Sequence, residues 1–397
     1  MGKGAVDIQD TPLVLTCTTT GAATLTIYDL TVATDKTVTV DWGDTTSNAY
    51  TGTGQRTHAY AGAGVWTVKL ANRRNITKLD LRDTKLSGTI NGTNPLPAGL
   101  TTLTLYNLAG LTYNANTNPL PSGLTSLTLY NLAGLTYNAN TNPLPAGLTT
   151  LALYTLAGLT YNANTNPLPA GLTYLALSTL AGLTYNANTN PLPAGLTYLY
   201  LNSLAGLTYN ANTNPLPAGL TSLTLSTLAG LTYNANTNPL PAGLTYLTLY
   251  NLAGLTYNAN TNPLPAGLTT LALNTLAGLT WEIKSGAAWP TGETGAVITV
   301  CPNITCTEWT DNAIRSIRAE NAYSQANVDA FINAIWANKA NFTYAAPSLD
   351  LLGGSNLAPS GVYQAANPPT TGLEKLYDLV NGNYTPAGPE WTVQYQV

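Results

Sequence analysis

The chain has 397 residues with 14 Lys+Arg against 18 Asp+Glu, so 8% are charged and the formal net charge is -4, against roughly 25% charged in an ordinary soluble domain. The shortage is local: the 196 residues from Leu86 to Trp281 hold no charged side chain, no His and no Cys. Such a stretch supplies no general acid or base and no usual metal ligand. Without Lys or Arg it cannot neutralise phosphates, which excludes nucleic acid as its partner. Thr, Asn, Gly or Pro interrupt its apolar residues every two or three positions, short of the roughly 18 that a membrane span needs. A non-enzymatic chain with no cofactor, no metal and no membrane insertion is expected.

Residues 1–70 form the first predicted module. Lys3 precedes no sustained apolar run, because Asp7 and Asp10 interrupt it, so no secretory signal is expected. Strands are predicted at Leu13–Thr16, Thr24–Tyr28, Thr37–Val40 and Val65–Val68, where β-rich residues sit between Gly, Asp and Asn turns. Val40-Asp41-Trp42-Gly43-Asp44, then His58-Ala59-Tyr60 and Gly64-Val65-Trp66-Thr67-Val68, resemble the PKD-like immunoglobulin-type sandwich, whose pattern is W-G-D-G, H-x-Y and G-x-Y-x-V. Thr45 stands where Gly is usual, and Trp66 replaces Tyr. The resemblance implies a β-sandwich that serves as a spacer or adhesion module. His58 is the one histidine. A Ca²⁺ or catalytic reading with Asp41 and Asp44 stands against turn and core hydrogen bonds, and without a nearby Ser or Cys nucleophile no triad forms.

Residues 71–285 are repetitive. With a period of 24, Asn94, Asn118, Asn142, Asn166, Asn190, Asn214, Asn238 and Asn262 each open N-P-L-P-[AS]-G-L-T-x-L-x-L-x-x-L-A-G-L-T, and Ile76, Leu79 and Leu81 mark a divergent copy before them. Nine coils of fixed period predict a solenoid. Leu103 and Leu105 share one face of a short strand while Thr102, Thr104 and Tyr106 take the other, as period-two alternation requires. The Leu100, Leu103, Leu105, Leu108, Leu111 and Leu120 series should fill the core. The Asn114, Asn116 and Asn118 series should satisfy turn groups or one another. The Tyr113 ladder reads as packing, with a second binding stripe as the alternative. L-P-x-x-L-x-x-L-x-L is similar to the leucine-rich-repeat family, in an atypical form because Leu108 replaces the usual Asn. No repeat has room for a convex helix, so turns and extended chain are expected opposite the strand.

Residues 286–397 read as an α/β segment: strand Ala296–Val300, helix Ser324–Lys339 with Val328, Phe331, Ile332 and Ile335 on one face, strand Leu349–Leu352, helix Leu373–Val380 and strand Glu390–Val397. This order, with Gly353-Gly354-Ser355-Asn356 and Trp391-Thr392-Val393, resembles the C-terminal cap of bacterial and phage leucine-rich-repeat proteins. Cys301 and Cys306 are spaced either to close a small disulfide loop or to remain two thiols.

The functional signal lies where the copies disagree. Up to the Thr112 equivalent, Ser122 for Ala is the one change outside the Thr102, Thr104, Tyr106 and Asn107 columns. Three of these columns face outward from the strand. The first column carries Tyr174, Tyr198 and Tyr246, the second Tyr200, and the third Tyr106, Tyr130, Tyr154, Asn202, Tyr250 and Asn274. A palette of Tyr, Ser, Thr, Asn and Ala is that of a binding face, although exposed strand positions also drift freely after duplication. Two function classes follow. One is a virion attachment or fibre protein, at a virion or extracellular surface, binding a cell-surface glycan or protein. The other is a self-assembling structural or decoration subunit, or a bacterial surface adhesin. Other virion or filament subunits and a homo-oligomer are the further partners expected.

Overall fold

The structure, a computed structural model, describes residues 7, 9, 11–283, 296–299, 301, 304–306, 316–320, 323–339, 348–351, 356–381 and 392–395. The expected turn at Gly353-Gly354-Ser355, the strand residues Val300 and Leu352, Trp391 and the boundary at 285 lie outside them. The chain is mainly β and forms a parallel β-solenoid of about nine coils of about 24 residues. It divides into two compact units, Met1–Leu196 with Ser203–Leu207, and Thr197–Asn202 with Thr208–Val397.

In the first unit each coil contributes two strands. The first row runs Ile76–Leu81, Thr102–Tyr106, Ser126–Tyr130, Thr150–Tyr154 and Tyr174–Ser178, parallel with each residue opposite its equivalent 24 positions on, as in Leu103 against Leu127 and Leu151 against Leu175. The expected strand is therefore present in each of these coils. The side expected to be turns and extended chain holds a second row instead: Leu86–Ile90, Gly110–Asn114, Gly134–Asn138, Leu159–Asn162 and Leu183–Asn186. Here Tyr137 lies opposite Leu159 and Tyr161 opposite Leu183, a slip of two residues that keeps every side chain on its own face. The leucines of the core series are all buried, Leu100, Leu103, Leu105 and Leu108 completely. Each contributes about 1.5–3 kcal/mol by leaving water.

The N-terminal strands attach directly to both rows. Leu13–Thr19 pairs antiparallel with Leu86–Ile90 on one side and Gly64–Ala71 on the other, while Asp29–Val32 pairs antiparallel with Ile76–Leu81. Gly64–Ala71 also pairs with Val38–Asp41, and Ala23–Ile27 with Arg56–Tyr60. Buried Arg73 ties the junction, donating from Nη1 to the Pro95 carbonyl and from Nη2 to Thr11 Oγ1, each at 3.0 Å.

In the second unit, Tyr198–Asn202, Ser222–Ser226, Tyr246–Tyr250 and Thr270–Asn274 form a parallel row. It continues without reversal through Ala296–Thr299, Ser316–Glu320, Ser348–Leu351 and Thr392–Tyr395. Helix α1, Gln325–Ala337, buries Val328, Phe331, Ile332, Ala334 and Ile335. Helix α2, Gly372–Asn381, is closed by a reciprocal capping box: the Thr371 hydroxyl accepts from the Glu374 amide while the Glu374 carboxylate accepts from the Thr370 and Thr371 amides. The strand–helix–strand–helix–strand order of the sequence is present; the strands Ile304–Cys306 and Ser316–Glu320 had no sequence signal.

Two glycines recur in each coil with different roles. A Cβ on Gly158 would sit inside the Leu135 carbonyl oxygen, whereas a Cβ on Gly147 would meet nothing closer than the Leu124 carbonyl at 3.5 Å. Gly158→Ala should lower the thermal midpoint because adjacent coils must separate. Gly147→Ala should be neutral or stabilise by about 0.4–1 kcal/mol through the unfolded chain; thermal and urea unfolding of the two variants measure the contrast.

The hydrogen bonds from the Thr370 and Thr371 amides hold the Glu374 carboxyl at about 2, well below its ordinary 4.5. A carboxylate depressed on folding stabilises fully above its unfolded value and loses that contribution as pH falls through the folded value. The midpoint difference between wild type and Glu374→Ala should therefore be full at neutral pH and shrink as pH falls from about 4.5 toward 2, measured by denaturant unfolding across that range.

Candidate functional site

Three polar columns hold the coils together and leave little of the repeat surface uncommitted. The Asn114 Oδ1 accepts from the Asn116 amide in its own turn. Asn116 Oδ1 accepts from the amide of Asn138 in the next coil at 2.6 Å, and Asn142 Nδ2 donates back to the Asn116 carbonyl. The same bonds recur at Asn140–Asn162 and Asn212–Asn234, so the Asn series satisfies turn backbone groups as expected. The threonine after each Gly-Leu does likewise: Thr125 Oγ1 donates to the Thr101 carbonyl, and Thr245 Oγ1 to that of Thr221, both at 3.1 Å.

The Tyr113 ladder is buried. Tyr113 and Tyr137 are each 1% exposed, and their hydroxyls donate to the Asn118 and Asn142 carbonyls. Burial pushes these phenols far up. Packing is the reading that holds, and this column is no second binding stripe.

Of the four variable columns, one changes meaning. Asn107, Asn131, Thr155, Thr179, Ser203, Thr227, Asn251 and Thr275 all have φ between 47° and 56°. They form the left-handed turn that leaves the first strand, a conformation Asn tolerates readily and the β-branched Thr155, Thr179, Thr227 and Thr275 adopt at a cost. Asn131 Nδ2 also donates to Asn107 Oδ1 at 2.6 Å. This column lies in the turn and not on the strand, and the candidate face reduces to the three outward columns.

On that face the candidates fall into three environments. In the first unit Tyr106 and Tyr130 stack with centroids 4.2 Å apart and planes 12° apart, and Tyr154 follows at 5.5 Å, tilted by 47°. Their ring faces are largely taken up by one another, so this strip presents edges and hydroxyls. It ends on Arg82, whose guanidinium lies 5.8 Å from the ring centroids of both Tyr106 and Tyr28 and is held by both oxygens of Asp80. Arg82 lies 24 residues before Tyr106, so the period already places it; Tyr28 joins through an antiparallel strand that the period does not reach. Tyr174, Tyr198, Tyr200, Asn202 and Asn274 are half-buried, and the central column is more covered, with Ala176 at 0% and Thr224 at 9% exposure. Tyr246 and Tyr250 are the third environment, 40% and 44% exposed.

The chemistry-bearing residues elsewhere are engaged within the fold. His58 Nε2 lies 2.6 Å from Asp44 Oδ2, and its ring stacks on Trp42 with centroids 5.0 Å apart. Partial burial works to raise the Asp44 carboxyl, but hydrogen bonds from Thr46 and His58 outweigh it and hold the group below its ordinary value. Asp41 Oδ1 accepts from the Gly43 amide. Thr45, where the resembled pattern has Gly, has φ of 74°, which explains why Gly is preferred there. Cys301 and Cys306 are both buried thiols, and burial pushes Cys301 up to about 11. Among the described residues no group of three or more His, Cys, Asp and Glu is placed to hold a metal ion, and no helix is long and apolar enough to cross a membrane.

No protein-family model matches the chain, and no curated protein sequence does either. The likeness to leucine-rich-repeat and PKD-like proteins rests on the residues quoted above.

Thr155→Asn and Thr227→Asn should each raise the unfolding free energy by part of the ~1–2 kcal/mol that a left-handed residue costs, with the outward columns untouched. Calorimetry or urea unfolding measures the gain, and a loss would show that the threonine methyl is needed in the turn.

Proposed function

We propose that the chain is a non-enzymatic attachment or fibre protein of a virion, binding a cell-surface glycan or protein through the outward columns of its first strand row. In this reading the repeats are an atypical leucine-rich-repeat blade, the N-terminal strands are a PKD-like mount, and the α/β segment closes the C-terminal end. One observation carries it. Up to the Thr112 equivalent, and apart from Ser122, variation between the coils is confined to the outward strand columns and the adjoining left-handed turn, and the outward columns draw on Tyr, Ser, Thr, Asn and Ala. That palette joins rigid amphipathic area to short adaptable hydrogen-bonding groups. Buried columns are constrained by packing, and the Asn and Thr turn columns by hydrogen bonds between coils. The outward columns are the ones that the coils leave to vary.

The test is attachment of the purified, labelled chain to a panel of bacterial cells. Replacing Tyr174, Tyr198, Tyr200 and Tyr246 together by Ala should abolish attachment while the circular dichroism spectrum and unfolding midpoint stay close to wild type. Unchanged attachment with the fold intact overturns the reading. Light scattering on the same samples separates the self-assembling alternative, for which filaments form spontaneously and no cell is bound.

A further inference from the structure

The aromatic residues of the variable face are not equivalent, and the difference names both a place and a ligand class. Tyr106, Tyr130 and Tyr154 occupy successive coils, so each ring has another tyrosine for a neighbour and the ladder covers its own faces. Tyr246 and Tyr250 are placed otherwise. Across the row, Tyr246 stands between Ser222 and Thr270, and Tyr250 between Ser226 and Asn274. Every one of these neighbours is shorter than a tyrosine. Both rings therefore rise above the flanking strands, and they are among the most exposed large apolar side chains of the described chain. Among the described residues neither phenol makes a hydrogen bond, an ion pair or a ring contact. The two rings share one strand, four residues apart, which places them about 13 Å apart along it, with Thr248 between them on the same face.

Resting on the attachment reading, we infer that this strand is a binding site for a neutral oligosaccharide. A pyranose has an apolar C–H face and a rim of hydroxyls. The first needs an uncovered aromatic ring, and the second needs short donors and acceptors beside it. Tyr246 and Tyr250 supply the rings; Ser222, Ser226, Thr248 and Asn274 supply the polar groups. The separation of the rings requires a chain of sugars, because one ring cannot reach both. No charged residue occurs between Leu86 and Trp281, so nothing in these coils rewards an acidic sugar, a phosphate or a basic peptide. A protein partner would bury the same tyrosines, yet it would gain no register from two isolated rings on a flat polar strand. Binding to a neutral glycan is also insensitive to salt, since there is no charge pair to screen.

The experiment is isothermal titration calorimetry of the full chain against unbranched neutral hexasaccharides of glucan, mannan, galactan and xylan type, with the matching monosaccharides alongside. At least one hexasaccharide should bind and its monosaccharide should not. Affinity should be unchanged between about 0.05 M and about 0.5 M NaCl. Tyr246→Ala and Tyr250→Ala should each weaken binding by about tenfold or more, as truncation of a central aromatic contact does, while Tyr28→Ala, at an exposed tyrosine outside the repeat columns, leaves it unchanged. Tyr246→Phe, which keeps the ring, should retain most of the affinity. The inference is overturned if no hexasaccharide binds at millimolar concentration, or if binding survives loss of both tyrosines. Cell attachment that still depends on Tyr246 and Tyr250 with no hexasaccharide bound would overturn the glycan and leave the attachment reading standing. Loss of attachment dependence with glycan binding intact would do the reverse.

Discussion

The pitch of the coils is the constraint on which the rest depends. A parallel row places each residue about 4.8 Å from its own copy, so a side chain is acceptable in the repeat only if it tolerates itself as a neighbour. Leucine does, by packing. Asparagine does, because Asn116 Oδ1 meets the Asn138 amide and Asn140 Oδ1 meets that of Asn162. Glycine is required at Gly158 because the preceding coil's Leu135 carbonyl already fills the place of a Cβ. A charge fails the same test. Like charges at 4.8 Å repel by about 0.9 kcal/mol per neighbouring pair even in water, and each further copy adds another pair. The uncharged stretch is thus a consequence of repetition as well as of descent. Charge returns where a coil has no identical neighbour, at Asp80 and Arg82, which pair with each other at the end of one strand, and at Glu282.

How much of this was legible follows from the same constraint. The leucine spacing and the period are properties of a single coil, and they placed the first strand row and the core. The helices α1 and α2 were legible because their apolar faces have the 3.6-residue period. The second strand row was not. Gly110, Asn114 and Asn116 are turn formers in isolation, and only the adjacent coil, receiving the Tyr137 amide on the Gly158 carbonyl, makes strands of these segments. The antiparallel pairing of Leu13–Thr19 with Leu86–Ile90 is equally a contact between segments with no shared pattern. The Asn107 column misled in the opposite way: it varies like a binding position, but its residues sit in the left-handed turn that leaves the strand.

The candidate face was legible as a set of columns, and its columns were not legible as chemistry. Variation counts residues one at a time, whereas the availability of a tyrosine depends on what stands at the same position one coil before and one coil after. Three consecutive tyrosines pack on one another, Tyr106 stacked on Tyr130 and Tyr154 tilted against it, which withdraws part of their ring surface from a ligand. The same residue between serine, threonine or asparagine stands clear of its neighbours and keeps its faces. On the proposed reading, what opens a tyrosine to a ligand is the short side chain that lies beside it, with the tyrosine itself unaltered. On this solenoid, Ser222, Ser226, Thr270 and Asn274 are as much the makers of an open aromatic site as Tyr246 and Tyr250 themselves.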